Sequence, residues 1–313
     1  MIKPLSVLLV FVLTAAAPVP AEDQATQVVR GLLVQDTLVA TIGYRLATAN
    51  ADLCADRMNE SGMLIETLGQ YGADYRPAAA AVLGLSDRPT VALVVPGSPA
   101  ERAGIRAGDA LVDADGQAFA ATPAESADGN FAPVESAMTM LDAALADGNA
   151  ALTVKRGGQS IAITLAGIQA CRARFQLMPG NDIDAVANGT WIQVSTRAAG
   201  FTSTPDELAA ILAHELAHNA LDHRKGKAKI QRGQELAADR LMPWLMARAG
   251  YDPAAATSLW RRFKAKRLGG LISDSTHPGW SERLQAVEAE RARIAVQLSN
   301  GGTIVPPDDL RAR

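Results

Sequence analysis

The chain of 313 residues is 48% hydrophobic and 20% charged with a net charge of −3, the proportions of an ordinary globular protein, which exclude a disordered or collagen-like chain. Lys and Arg total 30 against 33 Asp and Glu, so there is no basic excess to neutralise phosphates and nucleic acid is not an expected partner. Two cysteines are too few for a cysteine-rich zinc module or a disulfide-dense scaffold, and the four histidines all fall between positions 214 and 277, which marks a site.

Met1-Ile2-Lys3, an uncharged apolar run over residues 5–17 and Pro18-Val19-Pro20-Ala21 have the order of a secretory signal peptide, expected over residues 1–21. The run is shorter than the roughly 20 apolar residues of a membrane span, and no later segment is long and apolar enough to be one. The mature protein is therefore expected to be soluble, with no span after signal cleavage, and periplasmic or secreted. In an oxidising compartment Cys54 and Cys171, which flank a compositionally distinct segment, are expected to form one bridge tying its entry to its exit.

Residues 22–76 are expected to form an N-terminal helical part. Leu38, Ile42, Leu46, Ala49 and Leu53 recur at steps of three and four, which predicts an amphipathic helix over 36–58 with Asp36 or Thr37 as its cap. The pattern then changes. Residues 77–167 offer short β-type runs at 90–95, 110–113, 150–155 and 160–165, separated by Gly and Pro turns, with one helix near 134–145. Within them stands Gly97-Ser98-Pro99-Ala100-Glu101-Arg102-Ala103-Gly104-Ile105, followed by Gly108-Asp109-Ala110-Leu111. This string resembles the signature of bacterial PDZ domains. The resemblance implies that Leu83-Gly84-Leu85 sit near a carboxylate-binding loop, where an open strand edge would accept peptide C-termini.

Residues 168–298 are expected to be mainly helical and hold all four tryptophans. Thr204-Pro205-Asp206-Glu207 opens a helix, with Thr204 as N-cap, Pro205 in the first turn and Glu207 completing a capping box. Its continuation contains His214-Glu215-Leu216-Ala217-His218 inside an arc bordered by Leu208, Ile211, Leu212, Leu216 and Leu221. Ionisable groups on a helix this apolar cost several kcal/mol each if left unpaired, and a metal ion would satisfy them. Histidines four apart lie roughly 5 to 6 Å apart on one face, which lets both imidazoles meet one Zn²⁺. Glu215, adjacent to the first histidine, would act instead as general base on the water. Glu235, in Gln234-Glu235-Leu236-Ala237-Ala238-Asp239, is the expected third ligand, and Asp239 on the same face would accept the N–H of a ligating histidine. His223 falls off this arc and reads as structural.

The two motifs just given, with Ala249-Gly250-Tyr251-Asp252-Pro253 and with Ser275-Thr276-His277-Pro278 followed by Arg283, resemble the zinc metalloendopeptidases of peptidase family M48. That group includes the HtpX-type, Oma-type and CAAX prenyl endopeptidases, and the soluble periplasmic members with a PDZ insert are the nearer match. The resemblance implies an α+β chain, a mainly helical gluzincin-type domain with a small sheet plus an inserted PDZ domain. It implies one Zn²⁺ per chain on His214, His218 and Glu235, Glu215 as base, His277 facing the substrate carbonyl, and Arg283 orienting His277. Residues 185–194 match the family's strand near the active site, either an exposed edge for extended substrate or an internal hairpin strand. Pro243 is expected to end or kink the helix after Asp239, and residues 224–229 to be a solvated basic connector. A tail over 299–313 is expected to be mobile. The reading is an exported zinc metalloendopeptidase acting on polypeptide substrates, misfolded or unassembled envelope proteins, with a PDZ module for recruitment or regulation. The alternative is a PDZ-containing binding or chaperone-like protein with an occluded or structural zinc site.

Overall fold

The computed structural model describes residues 23–123, 129–223, 231–266 and 278–311. The expected signal peptide, the basic connector and His277 lie outside them. No helix among the described residues is long and apolar enough to cross a membrane.

Helix α1 (Gln24–Ala49) begins well before Asp36, because the Asp23 side chain accepts from the Thr26 N–H at 2.8 Å and caps it. Its buried face carries Val29, Val39, Ile42 and Leu46, while Leu38 is exposed. A short ribbon follows. Strand β1 (Arg57–Glu60) pairs antiparallel with the later β8 (Ile168–Cys171), Arg57 opposite Cys171 and Glu60 opposite Ile168. The Cys54–Cys171 disulfide closes the base of this ribbon, with the two Cα atoms 5.4 Å apart.

Between the ribbon strands lies a second layer of structure. It comprises β2 (Met63–Glu66), α2 (Arg76–Leu83), β3 (Thr90–Val94), α3 (Pro99–Arg102), β4 (Ala110–Ala114), β5 (Gln117–Ala118), α4 (Ala132–Ala144), β6 (Asn149–Arg156) and β7 (Gln159–Ala166). The sheet runs β2-β3-β4-β6-β7, with β5 paired to β4. Its first strand therefore comes earlier in the chain than the expected start of the module at 77. Met63, Ile65, Val91, Leu111, Leu141, Leu152, Val154 and Leu165 form its core. Leu83-Gly84-Leu85 do not border an open edge. Leu83 ends α2, Gly84 caps it at φ +69°, and both leucines are buried against Val29, Ala79 and Ala92 in a small apolar cluster between α1 and this layer. The strings around them look like a strand approach, but apolar side chains with α1 in reach are buried against it.

The remaining elements are β9 (Arg174–Met178), β10 (Ala185–Ala187), β11 (Trp191–Ser195), α5 (Thr196–Phe201), α6 (Pro205–Ala220), α7 (Arg232–Arg248), α8 (Ala254–Lys266) and α9 (Trp280–Ser299). β11 lies parallel to β9 and antiparallel to β10, which forms the edge. Residues 185–194 are thus a hairpin whose first strand is the edge. α7 runs unbroken through Pro243, contrary to the expected break: the residues around it, Leu241, Met242, Trp244, Leu245 and Met246, are all buried, and that packing outweighs the roughly 3 kcal/mol a proline costs inside a helix. Over its described part the tail packs onto the fold. Leu310 is 1% exposed, Arg240 binds Asp309 at 2.7 Å, and Val305 exchanges two hydrogen bonds with the Gln297 amide.

Candidate active site

Helix α6 starts as its sequence dictates: Pro205 occupies the first turn and Thr204 Oγ1 accepts from the Glu207 N–H at 3.2 Å. The Glu207 carboxylate, instead of returning to the Thr204 N–H, accepts from the Ser203 N–H at 2.6 Å and pairs with Arg262 at 2.7 Å. The helix then runs through the middle of the main core with His214, Glu215 and His218 all buried. Tertiary packing brings α7 beside it, and α7 supplies Glu235 and Asp239 from successive turns, both buried.

Ligand-type atoms of His214, His218 and Glu235 lie within 4.8 Å of one another. The separations are 3.3 Å from His214 Nε2 to His218 Nε2, 3.3 Å from His214 Nε2 to Glu235 Oε2, and 3.7 Å from His218 Nε2 to Glu235 Oε1. Donors bonded at about 2.0 to 2.1 Å to a tetrahedral ion stand about 3.3 to 3.4 Å apart, so two imidazoles and the Glu235 carboxylate at these separations fit one metal ion. Two neutral imidazoles and one carboxylate are also the donor types such an ion takes. These three residues are the ones expected as ligands, and Glu215 stands beside them, 5% exposed.

Behind the triangle the charges are arranged in series. His214 Nδ1 lies 3.2 Å from Asp239 Oδ1, the same oxygen that accepts from Trp260 Nε1 at 3.2 Å and from Arg283 Nη2 at 2.6 Å. Arg283 Nε donates to the other Asp239 oxygen at 2.5 Å, and the guanidinium packs against both the Trp260 and Trp280 rings, 4.9 and 5.4 Å from their centroids. Arg283 and Asp239 are both fully buried. Asp239 thus takes the place the sequence assigned it. Arg283 supports Asp239, whereas its expected partner, His277, lies outside the described residues.

Protonation follows from these contacts. Burial pulls the His214 imidazole down, but the Asp239 and Glu235 carboxylates more than offset it and raise its pKa to about 9 without a metal. Burial lowers His218 to about 4. Burial alone would raise Asp239, but the Arg283 guanidinium and the His214 hydrogen bond hold it at about 2. Glu235 is held well below the usual carboxylate range by the two imidazoles against the opposing effect of burial. Both carboxylates therefore stay anionic.

One contact was not expected from the sequence. His223, beyond the end of α6, places its Nδ1 3.1 Å from His218 Nδ1. A helical wheel puts it off the arc, but the chain leaves the helix at Asp222, whose φ of +58° turns His223 back onto the outer nitrogen of His218. Trp260 on α8 was also missed, since an indole N–H bound to a second-layer carboxylate has no local signature.

Residues 151–228 and 224–291 match the model of peptidase family M48, and residues 90–128 match that of the PDZ domain. The chain combines a family M48 metallopeptidase region with a PDZ domain. No curated protein matches it. Among solved structures it is similar to the HtrA3 PDZ domain bound to a phage-derived ligand (FGRWV), with 20% identity, a TM-score of 0.25, and 36% of this chain and 88% of that chain covered. The family M48 match spans α6, α7 and the start of α9, so it includes the whole His-Glu-Asp-Arg series described above.

Proposed function

We propose that the protein is an exported zinc metalloendopeptidase that cleaves within unfolded or unassembled envelope polypeptides, its PDZ module recruiting chain ends or regulating access. The observation that carries this reading is the convergence of His214, His218 and Glu235 on one point with Glu215 adjacent to the first histidine. His214 and His218 would hold Zn²⁺ through Nε2, and Glu235 through its carboxylate. When bound, zinc supplies Lewis acidity to polarise the scissile carbonyl and to acidify water.

The other steps belong to the chain. Glu215 takes a proton from the attacking water and returns it to the leaving amine, the role of a positioned carboxylate one residue after a ligand. Asp239 fixes the His214 ring through Nδ1, and Arg283 with Trp260 fixes Asp239, so the imidazole meets its task without rearranging. His223 does the same for the His218 ring. Edge strand β10, with Val186 37% exposed, offers main-chain hydrogen bonds to an extended substrate, which suits an enzyme that cuts varied sequences. His277 is the proposed donor to the oxyanion, carried over from the family resemblance.

The test uses unfolded casein with mass spectrometry of the products. Internal cuts that stop on chelation, return with zinc and vanish in Glu215→Gln are expected. Cleavage that persists in Glu215→Gln would falsify the assignment of the base, and products trimmed only from the chain ends would replace the endopeptidase reading with an exopeptidase one.

A further inference from the structure

The edge strand of the PDZ sheet, β2, is preceded by a short loop whose backbone is shaped to hold an anion. The N–H groups of Ser61 and Gly62 point at one spot, with Gly62 in the left-handed region at φ +79°, and successive N–H groups in such a turn form an anion-binding nest. A Cβ at Gly62 would stand 2.2 Å from the Ser98 Cβ, so the turn requires glycine. The nest already holds a carboxylate, because Glu60 Oε1 accepts from Ser61 N and from Gly62 N, both at 2.9 Å.

The space leading away from this nest is a cleft between β2 and α4. Met63 and Ile65 on β2 face Leu141 and Leu145 on α4 across it. Among the described residues β2 pairs with β3 alone, so its other edge is unpaired in the sheet. That side is walled by the peptidase half of the chain: Tyr44 of α1 and Arg174 and Phe175 of β9 line the same space, of which a cavity of about 70 Å³ remains. Arg174 also binds α4 directly, through the Asp142 carboxylate and the Met138 carbonyl.

We propose that the PDZ domain is latched from within: Glu60 stands in for a peptide's terminal carboxylate in the Ser61–Gly62 nest, and a chain end with a free α-carboxylate and an apolar last residue gains the cleft by displacing it as the α1 and β9 wall gives way. The site so assigned lies at residues 60–65 and α4, away from Leu83-Gly84-Leu85. The inference rests on the reading of the module as a recruiter of chain ends, and its test reads binding alone, so it is independent of whether the peptidase reading holds.

The probe is fluorescein-Gly-Ala-Ala-Val with a free C-terminal carboxylate, beside its C-terminal amide, titrated by fluorescence anisotropy. The whole chain is used with Glu215→Gln as parent so that no probe is consumed. Adding Glu60→Ala is expected to tighten binding of the carboxylate probe at least tenfold, with the amide binding neither protein. Glu60→Gln, which keeps a neutral acceptor of the same length, is expected to tighten it at least threefold and less than Ala, and it serves alone if Glu60→Ala does not fold by circular dichroism. Equal binding to parent and Glu60 variants, no binding to any of them, or binding of the amide as tight as the carboxylate overturns the proposal.

Discussion

Around α6 each buried ionisable group is held by the next one in line, from Glu235 through His214 and Asp239 to Arg283, and two tryptophans close the far end. In the PDZ half Glu60 is held by the two backbone N–H groups that follow it and Glu66 by the Tyr71 hydroxyl at 2.6 Å, while fully buried Asp109 is gripped at both oxygens by Arg156. The serial arrangement fixes donor atoms toward one point and makes every member depend on the others. The two local contacts of Glu60 leave that carboxylate exchangeable without disturbing the rest. A rigid site thus adjoins a module with one locally held carboxylate, Glu60, and α1 packs against both.

The largest effects test the rigid half. Glu215→Gln is expected to keep the metal while lowering the cleavage rate by on the order of 10² to 10⁴, whereas Glu235→Ala is expected to lose the metal, as read by elemental analysis of the folded chain. Should Glu235→Ala retain a full equivalent of zinc, the ligand triangle is misassigned. Arg283→Ala leaves the Asp239 charge buried and alone, and is expected to cost about 3 to 5 kcal/mol in denaturant unfolding and about 10- to 100-fold in zinc affinity. A normal zinc affinity in that variant would show that the series does not act as a unit.

The ribbon joining the halves comes next. Replacing both Cys54 and Cys171 by Ser removes a cross-link of sequence separation 117 and is expected to cost about 2 to 5 kcal/mol by the same measurement. An unchanged unfolding midpoint would mean that β1 and β8 hold the insert without it.

The smallest effect concerns the α1 contact with the PDZ half. Burial and the nearby Glu66 charge push the Asp36 carboxyl up to about 8. An acid raised in the folded state keeps a proton that the unfolded chain releases near pH 4, so its contribution is fully present below that pH and is lost as the pH rises toward 8. The melting temperature is therefore expected to fall from pH 5 to pH 8, and to fall less in Asp36→Asn. Parallel profiles for the two proteins would remove Asp36 as the cause.

How much of this was legible depended on the range of the contacts involved. Thr204-Pro205 announces α6 because capping is decided within one turn, and the alternation of the runs at 150–155 and 160–165 announces two of the PDZ strands because pleating is local. β2 escaped notice because its sheet partner β3 lies beyond α2, and the run 36–58 hid the true start of α1 because Asp23, not Asp36, makes the cap.

From the residue string alone came the α+β class, the two modules, the grouping of His214, His218 and Glu235 with Asp239, and the pairing of the two cysteines. Each rests on spacing that one helix or strand fixes, or on residues so few that they have no other partner. Only the tertiary structure decided that Arg283 serves Asp239, that His223 turns back onto His218, that Pro243 stays inside its helix, and that Glu60 sits in the nest beside α1 and β9. Those outcomes are set by which surfaces meet across the fold, where burial energy overrides local preference, and no periodicity along the chain encodes them.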